Sequence, residues 1–563
     1  MALRQAPGAG ATVPRWGREA LGAAAAIAIG IAVVTAVAAS ARSALLFSDG
    51  DSLVTTLVVR SIAAGQSQEW AMSSVLFLPE TVVLGLLTLL GLGVNATLAV
   101  AGVVNVVALY GALRVAAGAF RRTRAPIAGA LLGVAGFALL AVSETSPDRD
   151  ALELASLLVT TTYYSATVVG VVLAVGLARR ALDAGRSRRG EPSAGGQPDD
   201  IPDAAAPDSA VPDSGVPRGL LALLGVVAAA SVVTNPLFAA WATIPLGLVL
   251  AVVWQTTRKR IALWTVAALV AGTVLGFVAR VPLAPLIANT GAGYADPSRW
   301  PESAAYYGML LAERWSAPWG AASLLALLML WGWCVAATLL LARRGDLPAA
   351  VVAACGWAMP LLVVIGAIAL GTNAARYLQP AAFAPMLGLV VLPAVLSRWA
   401  DAGARVLAVG SGRGEPVTAA RGRGIAAVGV AAVILLAAGG LGIPRIAAAA
   451  TAPDADLDCV VAWTEQSGRI GAGQFWTVRL PKTHLADPRG LVQIDHELNG
   501  YAWLVNRDDF AVGEVSFLVL DDQSPPFSLP DGTRLADAEL IPCGRYTIAD
   551  FGTRGLSLGP QRS

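Results

Sequence analysis

The chain has 563 residues, 56% hydrophobic and only 14% charged, with a mean hydropathy of +0.64, where a soluble protein carries roughly 25% charged residues. That composition excludes an ordinary soluble domain and calls for helices able to cross a ~30 Å hydrocarbon core. The net charge of +2 offers no electrostatic footprint for nucleic acid, and no nucleic-acid partner is expected.

In chain order, apolar runs predict eleven membrane spans, at about 20–41, 97–119, 125–142, 151–178, 218–234, 236–255, 261–280, 318–342, 349–371, 380–397 and 425–443. The first is longer than the apolar core of a cleavable signal and lacks a small-residue cleavage site, so it reads as a retained helix. Basic clusters lie at Arg121, Arg122 and Arg124, at Arg179 to Arg189, at Arg258, Lys259 and Arg260, at Arg343 and Arg344, and from Arg398 to Arg423. All fall on one side if Leu76 to Leu92 lies at the interface instead of crossing. By the positive-inside rule that side is cytoplasmic.

The fold class expected is therefore α, a polytopic helical bundle with a small C-terminal α/β or β-rich domain. Its parts are a cytoplasmic tail 1–19, a membrane part 20–178 with a long external loop 42–96, a linker 179–217, a second membrane part 218–443, and an extracytoplasmic domain 444–563. The linker is rich in Pro, Asp, Ala and Gly, cannot bury enough apolar surface to fold, and reads as disordered. In the terminal region FWTVRL, LVQID, AWLVN and VSFLVL read as strands between Gly, Pro and Asp breaks. Cys459 and Cys543 bracket that region, and an oxidising compartment favours a disulfide between them. Cys334 and Cys355 sit in apolar runs as packing residues. Dominance of Ala, Gly, Val and Leu suggests a high-GC bacterial genome, hence a multi-pass protein of a bacterial plasma membrane.

This threading gathers several polar features outside. FSDGDS, from Phe47 to Ser52, places Asp49 and Asp51 around a glycine just after the first span. The same loop holds Arg60. The loop from about Val281 to Pro318 holds Arg299 and Arg314, and GTNAARYLQP holds Arg376 and Tyr377 at the start of the next span.

An acidic pair after the first helix, a long first external loop, many spans and a late external Arg-Tyr resemble the GT-C superfamily of membrane glycosyltransferases, over roughly residues 20–400. The resemblance implies transfer of a sugar from a polyprenyl-phosphate donor to a cell-envelope glycan, lipid or protein acceptor outside the membrane. It also implies that Asp49 or Asp51 is the base, with Asp49 the nearer analogue, and that Arg376 and Tyr377 hold the donor phosphate. Arg60, Arg299 and Arg314 are further phosphate candidates. The chemistry fits these residue types: an acceptor hydroxyl needs a carboxylate within hydrogen-bond reach, and a departing phosphate needs cationic donors, for which the planar fork of Arg is suited. Some relatives use a divalent ion such as Mg or Mn, which the two aspartates would bind through oxygen. Two carboxylates alone make a thin metal site.

Plainer readings stand beside these. Asp-Gly-Asp is ordinary turn chemistry, and an arginine at a span end also serves as an interfacial anchor. Thr234-Asn235-Pro236 reads as a tight turn. Asp495-His496-Glu497 lacks the ligand spacing of a zinc site. Gly410 to Gly414 lacks the strand and lysine of a phosphate loop. Two other functions remain open: a transporter or flippase for a lipid-linked intermediate, disfavoured by the scarcity of ionisable residues within the spans, and a non-catalytic scaffold of the same fold.

Overall fold

A computed structural model describes residues 15–119, 126–187, 217–289, 292–396, 418–529 and 532–562. Most of the predicted linker, the Arg121 to Arg124 cluster and much of the Arg398 to Arg423 segment lie outside the described residues. The chain is mostly helical with a strand-rich C-terminal region.

Among the described residues, eight helices are long and apolar enough to cross a membrane: Trp16–Ala38, Val94–Ala116, Ser165–Gly185, Ala239–Thr257, Arg260–Leu286, Pro318–Arg343, Leu347–Ala369 and Ala375–Leu396. The expected count of eleven is corrected to these eight. Pro126–Val142 and Arg218–Thr234 are helical but have 17 residues each, about 25 Å at 1.5 Å per residue. Proline opens the first, and Asn235-Pro236 stops the second. In the last apolar run the stretch Leu436–Ala450 is a shorter apolar helix among the described residues, at the end of helix Thr418–Ala450. That helix runs past residue 444, the boundary expected for the terminal domain. The segment Leu78–Thr88 has 11 residues, about 16 Å, too short to span.

Two further boundaries differ from expectation. The helix expected from 151 begins at Ser165 and runs to Ser187, so residues 179–187 of the expected linker are ordered helix. Residues 151–164 instead form turns and a four-residue helix, Leu157–Thr160. Their apolar side chains are buried in protein, which is why hydropathy alone reads them as membrane. Packing of the bundle uses small residues to bring backbones together. A Cβ on Gly272 would collide with the carbonyl oxygen of Gly225, so helices Arg218–Thr234 and Arg260–Arg280 meet backbone to backbone.

The C-terminal region builds a seven-stranded sheet in the spatial order Gly559–Arg562, Asn499–Tyr501, Leu491–Ile494, Gly471–Gln474, Phe517–Leu520, Tyr546–Asp550, Glu539–Cys543. The central strand Gly471–Gln474 is parallel to both of its neighbours. FWTVRL, expected as a strand, is instead the start of helix Phe475–His484. Parallel neighbours need a crossover, usually a helix, and this segment is the crossover from Gly471–Gln474 to Leu491–Ile494. LVQID and VSFLVL do supply strands Leu491–Ile494 and Phe517–Leu520. In AWLVN only Val505–Asn506 is extended, and it pairs with Trp70–Ala71 of the first long loop. A disulfide joins Cys459 on helix Ala455–Ser467 to Cys543 on the edge strand; Cys334 and Cys355 are free and buried.

The terminal domain is thereby fastened to one end of the bundle. Besides the strand pair, the Arg60 guanidinium donates to the carbonyl oxygens of Thr483, Leu485 and Ala486.

Candidate functional site

Asp49-Gly50-Asp51 links the short helix Ser43–Phe47 to helix Val54–Ala63. Asp49 Oδ2 accepts hydrogen bonds from the Ser52 amide at 3.0 Å and the Ser52 hydroxyl at 2.6 Å, the local turn geometry expected of an aspartate. Its other oxygen faces away from the turn, toward the guanidinium of Arg149.

Arg149 organises the site. Its Nη1 donates to Asp51 Oδ2 at 2.7 Å and lies 3.5 Å from Asp49 Oδ1. Its Nε lies 3.8 Å from Asp150 Oδ2, and Asp150 Oδ1 lies 3.6 Å from Arg376 Nη1. Arg376 also lies beside the phenols of Tyr163 and Tyr164. Acids and guanidinium groups therefore alternate from Asp49 to Arg376. The Arg149 guanidinium also sits over the Trp476 ring, 4.4 Å from its centroid, in cation–π geometry. Behind the turn, the buried Arg479 donates from Nε to the Gly50 carbonyl at 3.1 Å. Loops of the membrane part and a helix of the terminal domain thus meet on six residues. Three are acids (Asp49, Asp51, Asp150) and three are arginines (Arg149, Arg376, Arg479).

Asp49 is only 7% exposed. Burial, aided by the neighbouring Asp51 charge and opposed by Arg149 and the Ser52 hydrogen bonds, pushes its carboxyl up to about 6. It is thus mostly ionised at neutral pH yet close enough to neutrality to take a proton, the condition for a general base. Burial, with Asp49 next, also raises the Tyr163 phenol.

Several polar atoms here are buried without a hydrogen-bond partner: Arg376 Nη1, Asp150 Oδ1 and the Tyr163 hydroxyl. Buried donors and acceptors are ordinarily satisfied, and the Tyr163 hydroxyl and the Arg376 Nη1, which has only the 3.6 Å ion pair to Asp150, retain donor capacity that suits an oxyanion.

The other phosphate candidates are engaged elsewhere. Arg60 fastens the terminal domain, as described. Arg299 is exposed and pairs with Glu302 at 2.8 Å. Arg314 is buried, 2.8 Å from Glu153 Oε1, and donates to the Ser323 hydroxyl. Arg42 takes the other Glu153 oxygen at 2.9 Å, so Glu153 holds two arginines and anchors the loop that presents Arg149. The Tyr377 ring packs against the main hydrophobic core, and its carbonyl accepts from Trp241 Nε1 at 3.0 Å.

No group of three or more His, Cys, Asp or Glu suited to a metal occurs among the described residues. Asp49 and Asp51 converge on Arg149, so a cationic side chain already stands where a metal bridging them would sit.

Arg149 and Asp150 are the residues that sequence reasoning missed. They lie in SETSPDRD, Ser143 to Asp150. Three acids and an arginine in eight residues, between two predicted spans, are the available signal. Tyr163 and Tyr164 were hidden inside a predicted span, and Trp476 and Arg479 inside a predicted strand.

No protein-family model matches the chain, and no curated protein sequence matches it.

Proposed function

We propose that this protein is a membrane glycosyltransferase of the GT-C type, which transfers a sugar from a polyprenyl-phosphate donor to a cell-envelope acceptor. Asp49 takes the proton of the acceptor hydroxyl as its oxygen forms a bond to the anomeric carbon. The bond from that carbon to the phosphate oxygen breaks, and its electron pair leaves on the phosphate. Arg376 and the Tyr163 hydroxyl receive that charge. Arg149 holds the two aspartates and keeps Asp49 ionised near neutral pH.

The observation that carries this reading is the continuous run of contacts from Asp49 through Arg149 and Asp150 to Arg376. A proton acceptor and an anion-binding group, distant in sequence, stand at one end of the bundle where a lipid phosphate would lie. An apolar groove of about 510 Å³, lined by Leu139, Leu327, Trp333, Met386 and Leu389 among others, gives further support. It has the character of a prenyl-chain site, and Ser143 at its border begins the loop bearing Arg149. We place the terminal domain outside the membrane on the strength of the disulfide, which belongs to an oxidising compartment.

The test uses membranes containing the full chain, a panel of polyprenyl-phosphate sugars, and Asp49→Asn, Asp51→Asn and the double variant. Transfer by the wild type and its loss in Asp49→Asn is the expected result. Undiminished transfer by the double variant removes the base assignment. A wild type inert with every donor favours a flippase or scaffold.

A further inference from the structure

Helix Phe475–His484 buries almost every side chain it carries, because it is wedged between its own sheet and the Asp49 turn. One of these side chains is Arg479, which is fully buried. Its Nε donates to the Gly50 carbonyl at 3.1 Å and its Nη1 to the Leu504 carbonyl at 2.7 Å. The same guanidinium lies 5.3 Å from the Phe475 ring centroid. From the loop side, a Cβ on Gly50 would lie 3.1 Å from Phe475 Cε1 and 3.2 Å from Trp476 Cε3. The turn is therefore pressed against the helix where only glycine fits without displacement.

We propose that Arg479 is a positioning residue for the reaction: through it the C-terminal domain fixes the Asp49-Gly50-Asp51 backbone, which makes that domain an integral part of the site and not an appended module. The proposal rests on the reading of Asp49 as base.

The physical argument runs through the peptide between the two acids. The Gly50 carbonyl belongs to the peptide unit that leads into Asp51, so pinning its oxygen restrains the torsions that aim both carboxylates at Arg149. A guanidinium suits this because its rigid fork addresses two carbonyls at once, one from each part of the molecule. A lysine ammonium on a flexible stem does not present that fork. Burying a cation with no carboxylate in direct contact is costly, and burial draws the Arg479 guanidinium down to about 10, still protonated at neutral pH. The positive charge nevertheless offsets the local excess of acids, since Asp51, Asp509 and Asp49 are its charged neighbours.

The experiment compares full-length wild type, Arg479→Gln and Arg479→Lys in lipid nanodiscs. Backbone hydrogen exchange is followed at residues 47–53 and at strand Phe517–Leu520, and transfer kinetics are measured alongside. Both variants are expected to exchange roughly tenfold faster at 47–53, the effect of losing one buried hydrogen bond, with the strand unchanged. Their kcat should fall with donor KM unaltered, which separates positioning from donor binding. Wild-type exchange at 47–53 in both variants overturns the proposal. So does an Arg479→Lys protein with wild-type exchange and kcat, because charge alone would then suffice. Should Arg479→Gln fail to assemble, Gly50→Ala disturbs the same contact from the loop side. It is expected to loosen 47–53, and unchanged exchange there counts against the proposal. Exchange requires no donor, so a loosened turn in a protein inert with every sugar would refute the glycosyltransferase reading and leave the positioning contact standing.

Discussion

Replacing Arg149 by Met removes the cation between Asp49 and Asp51 while keeping an unbranched stem of similar bulk to the arginine's methylenes. In the native site Arg149 Nη1 is 3.5 Å from Asp49 and 2.7 Å from Asp51. Two unit charges about 4 Å apart interact by ~4 kcal/mol at an effective dielectric constant of about 20. Arg149 is 20% exposed, so water screens part of this, and roughly 1.4–2.8 kcal/mol remains, or about 1–2 pH units. The sign is fixed by the groups themselves. Arg149 lowers the Asp49 pKa, whereas burial and Asp51 raise it, so its loss moves the carboxyl upward from about 6. The acid limb of the kcat/KM profile for sugar transfer should shift upward by about 1–2 units. At pH 6, where the wild-type carboxyl is about half ionised, the variant's ionised fraction should be roughly a tenth or less. Arg149→Lys should restore most of the shift, because it returns the charge. A profile lowered in height with an unmoved acid limb would refute the reasoning, since Asp49 ionisation would then not limit the reaction.

Asp49 itself should impose a pH dependence on stability. Its folded pKa is raised from 3.8 to about 6, so its stabilising contribution is complete below about 4 and is lost as pH rises through about 6. The difference in Tm between Asp49→Asn and wild type should therefore grow in favour of the variant from pH 4 to pH 7.5; parallel curves would contradict this. Glu153→Gln leaves the buried Arg42 and Arg314 without their shared carboxylate and should cost about 3–5 kcal/mol, read as a fall in Tm of the purified protein. A wild-type Tm would show that the pairing is not energetically important. Replacing Cys459 and Cys543 by serine opens a link across 84 residues, worth about 4–5 kcal/mol in chain entropy. Thermal unfolding of the terminal domain, followed by its exchange or proteolysis, should drop accordingly, and wild-type behaviour would refute that magnitude.

Much of the architecture follows from local pattern. Each apolar run predicted as a span contains helix, because an apolar segment in a bilayer must satisfy its own backbone hydrogen bonds. The polar turns between those runs were legible as well. That is how FSDGDS and RYLQP came to be assigned to one end together with the terminal domain, and the Asp49–Arg149–Asp150–Arg376 contacts unite them there.

Tertiary structure decided which partners those residues take. Asp51 meets Arg149 from 98 positions away, and Gly50 meets Arg479 from 429 away. No local periodicity encodes such a choice. Arg60 and Arg314 look like Arg376 in sequence, yet one binds carbonyls of the terminal domain and the other binds Glu153. FWTVRL has the residues of a strand, and becomes a helix because the strands on either side of it lie parallel. Residues 151–164 are apolar enough to enter a membrane, but protein covers them and they carry Glu153, Tyr163 and Tyr164 to the site. Hydropathy measures how much a segment avoids water; whether lipid or protein then covers it is settled only when the whole chain has packed.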